Sequence, residues 1–128
     1  MSEGDPDVVK VNTMDAYEVY QEGVQALGRG EFEADVRLLR QSQTLQPHFA
    51  TARRLAKALQ AKGESAEARA FRRIAHELNP RSDAAAIEHA EDLFAQGEAE
   101  RAKGLALIVL KRNSTYGPAE ALLARTKT

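Results

Sequence analysis

Cysteine is absent from the 128 residues, which removes disulfides, thiolate zinc sites and thiol nucleophiles together. Aromatic residues make up only 5%, and there are four prolines and eight glycines, too few turn formers for a loop-dominated all-β domain. Alanine is abundant instead, and small side chains let helix axes approach closely. No apolar run reaches the roughly 18 residues that a membrane-spanning helix needs. The opening MSEGDPDVVKVNTMD has neither a basic start nor an apolar stretch, so no secretory signal is expected, no membrane insertion, and a cytoplasmic location. An apolar content of 43% over this length suffices for one helical domain with a continuous core.

Net charge is −1, which gives no reason to expect nucleic acid or a membrane surface as partner. Its distribution is uneven. Residues 1–15 carry four acids and one base, and residues 16–47 five acids and three bases. Residues 48–80 reverse this with seven bases and three acids, and residues 81–128 balance at seven of each. A basic block therefore lies between acidic and neutral neighbours.

The main signal is internal self-similarity. Three segments align on Gly30-Glu31, Gly63-Glu64 and Gly97-Glu98, and continue as GEFEADVRLLRQSQTLQP, GESAEARAFRRIAHELNP and GEAERAKGLALIVLKRNS. The first two close with Leu45-Gln46-Pro47 and Leu78-Asn79-Pro80; Ser114 takes the proline's place in the third. Ahead of each glycine, apolar or small residues recur at helical spacing: Val19, Gly23, Ala26 and Leu27, then Ala52, Leu55, Ala56 and Leu59, then Ala86, Ala90, Leu93 and Phe94. Each unit reads as helix, glycine turn, helix, proline stop. Past the third, Pro118 followed by Ala119, Ala121, Leu122, Leu123 and Ala124 predicts a further helix over about 118–125. It is needed to cover Leu105 to Leu110, a stretch apolar almost all round. Residues 1–14 have no such pattern and are expected to form a flexible tail, leaving 15–128 as one domain with repeats at about 16–47, 49–80 and 83–114.

A period of 33 to 34 residues with this layout resembles the tetratricopeptide repeat. Small residues fall seven before the turn glycine (Gly23, Ala56, Ala90), five after it (Ala68, Ala102) and twelve after it (Ser42, Ala75, Val109). Asp35 departs from the pattern at the five-after position, and the aromatic two after the glycine occurs only as Phe32. The resemblance implies an all-α, right-handed superhelical array of three antiparallel hairpins plus a C-terminal helix. It also implies a concave groove lined by the first helix of each repeat. Carried over, the lining is Tyr17, Tyr20, Val24 and Leu27; Ala50, Arg53, Lys57 and Gln60; and Ala84, Ile87, Glu91 and Phe94. The function implied is protein binding by an adaptor or small chaperone, without catalysis or cofactor. Its ligand would be an extended or helical peptide, with Arg53 and Lys57 selecting an acidic residue. One subgroup of the family clamps the carboxylates of chaperone tails with Lys, Asn and Arg. The corresponding positions here hold Tyr20, Val24, Arg54, Ala84 and Glu88, of which only Arg54 could serve. The size and apolar lining look more like bacterial secretion chaperones of this fold. The structural alternative is a self-assembling or bridging scaffold, a homodimer included, whose groove is filled by another copy.

Other candidate chemistry is sparse. No phosphate loop, HExxH or Gly-x-Ser-x-Gly occurs. His48, His76 and His89 are never three or four residues apart, so no helical pair could chelate a metal. His89, beside Glu88, Glu91 and Asp92, reads as an interior histidine with its hydrogen bonds made. Asp35 is either a buried carboxylate paired with Arg53 or Arg54, or a solvated one.

Overall fold

The computed structural model describes residues 15–127, apart from the side chains of Leu27 and Phe32; the tail expected over 1–14 lies outside the described residues. Among the described residues there are seven helices and no strand: α1 Ala16–Gly28, α2 Phe32–Leu45, α3 Phe49–Ala61, α4 Ser65–Leu78, α5 Asp83–Ala95, α6 Ala99–Arg112 and α7 Gly117–Thr126.

The glycine turns stand where the alignment put them. Among the described residues, Gly30, Gly63 and Gly97 are the positive-φ positions, at 75°, 85° and 86°, a left-handed conformation that glycine adopts without a Cβ penalty. Each is followed by a glutamate whose backbone N–H donates five residues back: Glu31 to Ala26, Glu64 to Leu59 and Glu98 to Leu93, at 2.9, 2.9 and 2.8 Å. The same hydrogen-bonded cap therefore ends the first helix of every hairpin, satisfying carbonyls the helix would leave orphaned. The prolines act two residues later than the helix ends, because the residue before a proline is pushed out of the helical region. Gln46, ahead of Pro47, is extended at φ −156°. The chain then re-enters helix through caps. His48 Nδ1 accepts from the Ala50 N–H at 3.1 Å, and Ser82 Oγ from the Ala85 N–H at 3.2 Å.

Contacts gather the chain into two compact units, one through Ala75 and one from His76, the division falling in the last turn of α4. In the first, Val36, Leu39, Leu55, Ala58, Leu59 and Ala68 form a buried cluster flanked by Tyr20 and Phe71. Val19, Ala26 and Leu38 form another. Arg40 forks onto Glu67, joining α2 to α4, and the cation beside it holds the Glu67 carboxyl below the usual glutamate range.

Asp35 is buried with the charge of Arg54 acting on it, as the first expectation had it, but without the expected pairing contact. It is fully buried, so it is not solvated, and neither carboxylate oxygen has a hydrogen-bond partner among the described residues. Burial raises its pKa from 3.8 to about 6, against a smaller opposing pull from the charge of Arg54. Its room comes from Gly23: a methyl group added there would lie 3.0 Å from Leu39 Cγ and 3.5 Å from Asp35 Oδ1. The first hairpin thus has a glycine–aspartate pair where the others have Ala56 with Ala68 and Ala90 with Ala102.

In the second unit, Ala86, Ile87, Ala90, Leu93, Ala102, Ala106, Val109, Ala119 and Leu122 are buried together, and α7 packs on α6 and α5. Leu122 is the α7 anchor, with Leu123 half-buried beside it. Coverage of the apolar α6 run is narrower than its sequence demanded. Ala106 and Val109 are buried, but Leu107 and Ile108 remain 47% and 56% exposed. The described helix face is covered by α5 and α7 on adjoining sides, not all round.

Candidate functional site

Between the start of α1, the end of α2 and the start of α3, the first unit holds an open cavity of about 410 Å³. Its walls are Ala16, Tyr17, Tyr20, Ser42, Gln46, His48, Ala50 and Thr51. Local chemistry fixes these walls. Ser42 Oγ donates to the Ala16 carbonyl at 2.7 Å, pinning the first turn of α1 to α2. The Gln43 side chain accepts from the His48 N–H at 3.2 Å, bracing the Pro47 bend. Since His48 Nδ1 accepts from Ala50, its ring carries the proton on Nε2, leaving a donor at the cavity edge. Tyr20 packs on the Leu39–Leu55 cluster, whereas Tyr17 is 69% exposed.

The predicted lining residues divide between the two units. In the first, Tyr17, Tyr20 and Ala50 come together around this cavity. Val24 and Arg53 are half-buried and Lys57 exposed, none of them on its wall, and the Leu27 side chain lies outside the described residues. Gln60 is turned to its hairpin partner: its amide donates to Ser65 Oγ at 3.2 Å and accepts from Arg72.

In the second unit, Ile87 is 4% exposed and sits in the buried cluster with Ala90, Leu93 and Ala106. Glu91 and Phe94 are engaged from within. Arg125 of α7 forms an ion pair with Glu91, and its guanidinium carbon lies 5.1 Å from the Phe94 ring centroid. Arg125 is exposed yet makes both contacts.

Sequence reasoning missed Ser42, Gln46, His48 and Thr51 as cavity walls. The signal was available, since they flank Pro47 where two helix ends meet, but that stretch reads as punctuation between repeats. It also missed His76 meeting His89, whose rings stack 5.6 Å apart at 24°. His89 is interior as expected, but its Nδ1, like that of His76, is buried without a hydrogen-bond partner among the described residues.

No family model matches the sequence, and no curated protein is significantly similar to it. Solved structures are similar. The first tetratricopeptide domain of Spaghetti (RPAP3), bound to an HSP90 peptide, superposes with a TM-score of 0.70 at 19% identity, over 89% of this chain and 96% of that one. The chain has the tetratricopeptide-repeat fold. The second tetratricopeptide domain of human RPAP3, with an HSP70 peptide, gives 0.71 at 15% identity, over 88% and 98%. The Yersinia enterocolitica type III secretion chaperone SycD, with a peptide of the translocator YopD, gives 0.69 at 14% identity, over 98% and 97%.

Proposed function

We propose that this tetratricopeptide protein is a peptide-binding adaptor or small chaperone that acts by recognition, not catalysis. The carrying observation is the cavity of the first unit, where Tyr17 presents an exposed ring beside Tyr20 over apolar walls at Ala16 and Ala50. An aromatic held open by rigid helices is the kind of anchor that dominates peptide interfaces. The near end-to-end likeness to the Yersinia secretion chaperone supports the chaperone version, and with it a cytoplasmic, bacterial setting. The HSP peptides of the RPAP3 domains are not carried over, because the clamp positions hold Tyr20, Val24, Arg54, Ala84 and Glu88. The exposed Lys57 favours an acidic residue in the ligand. The reading treats 15–128 as one functional domain.

The test is a titration of candidate client peptides by fluorescence anisotropy. Tyr17→Ala should leave helical content unchanged and weaken binding by about 1–3 kcal/mol, and Lys57→Glu should weaken it further at low salt. Unchanged affinity in both variants would remove this surface from the function. A second reading, self-assembly, draws on the exposed Leu107 and Ile108 of α6. Light scattering decides it: a dimer that dissociates with Leu107→Glu favours assembly.

A further inference from the structure

His76 and His89 are the feature of the second unit that peptide binding does not use. His76 lies in the last turn of α4 and His89 on α5, where it is 9% exposed. Their rings stack at 5.6 Å, and each Nδ1 is buried with no partner among the described residues. The charged groups acting on them come from three helices. Glu77 adjoins on α4 and Asp92 on α5, while α6 supplies Arg101 and Arg112. Arg112 is fixed there, donating to Asp83 Oδ1 at 2.6 Å and to the Pro80 carbonyl at 3.1 Å.

The geometry points to an acid-triggered latch: proton uptake by the His76–His89 pair opens the packing of the α4 C-terminal turn, α5 and α6 in the second unit. Neither buried Nδ1 has a partner among the described residues, so a proton placed there gains no hydrogen bond to offset its lost hydration. A second proton would then put like charges about 5.6 Å apart. Burial first and then the charge of Arg112 lower the His76 pKa from 6.5, against a smaller opposing pull from Glu77. His89 is lowered too, first by burial and then by His76. For a group whose folded pKa is depressed, stability is intact above the unfolded value of 6.5. It is lost as pH falls through the folded pKa, because the unfolded chain binds the proton more readily.

Melting temperatures of the wild type and of the double variant His76→Phe/His89→Phe, at pH 7.5 and 5.5, test the latch. Phenylalanine keeps the ring stack and cannot titrate. The wild type should fall by several degrees relative to the variant on acidification; parallel melting at both pH values would overturn the latch. Should the variant fail to fold, NMR titration of the wild-type ring protons decides alone. Midpoints below 6.5 for both rings support the latch, and a midpoint at or above 6.5 for either overturns it.

Discussion

Asp35 in the first unit and Ala102 in the second occupy the same place, five residues after the turn glycine, and both are fully buried. Around Ala102 the packing is hydrocarbon, with Ala90 against it as the helix-crossing residue. Around Asp35 a glycine has replaced that alanine, and a carboxylate fills the space with its oxygens unpartnered. The units thus bury titratable groups of opposite kind. The first has an acid whose folded pKa is raised, the second two imidazoles whose folded pKa values are lowered. Acidification from neutral pH therefore relieves one unit while it burdens the other. The repeat frame sets where helices cross, not what chemistry stands at the crossing.

The comparison breaks most severely at Leu122, the anchor that lets α7 close the hydrocarbon unit. Leu122→Ala should cost about 2–5 kcal/mol in urea unfolding; a loss below 1 kcal/mol would mean that α7 does not stabilise α6.

Asp35→Ala, which gives the first hairpin the residue found in the other two, sharpens it. The folded state holds the Asp35 proton up to about pH 6, the unfolded chain only to 3.8. Stability should rise as pH falls between these values, and the full cost is present above 6. The substitution should therefore stabilise the protein by roughly 1–3 kcal/mol at pH 7.5, with the gain shrinking toward pH 4. Equal gains at both pH values would show that the carboxylate's charge is not the cause. Gly23→Ala presses mainly on Leu39, at 3.0 Å, and Asp35→Ala does not remove that contact.

The smallest effect belongs to Arg125. Removing its contacts to Phe94 and Glu91 with Arg125→Ala should cost about 0.5–1 kcal/mol, since the pair is partly exposed. A similar loss in a Phe94→Leu background would assign the effect to Glu91.

Those residues also show what was legible in advance. The turns, helix spans and crossing positions could be read because each rests on a local rule: left-handed glycine, proline after a helix end, small residues every third or fourth position. The Asp35 outcome could not, since neither burial nor the absence of a partner follows from spacing. The burial of Ile87 was not legible either, because carrying over a lining position says nothing of what packs on it. The Tyr17–Tyr20 edge was legible only through the family's lining positions. Its other wall, from Ser42 to Thr51, depends on two helix ends meeting at Pro47. The His76–His89 stack joins residues thirteen apart across a loop, beyond the reach of a single helix period.

The three turn glycines have a stereochemical consequence. At φ of 75° to 86° they stand in the mirror image of the region that ordinary residues prefer, and an added L-side chain would meet nothing within 4 Å. The selection there is for handedness, not for size. L-alanine would be strained at these positions although it has ample room. D-alanine would match the backbone and restrict the unfolded chain, so chemical synthesis with mirror-image residues at Gly30, Gly63 and Gly97 would stiffen every hairpin at its bend.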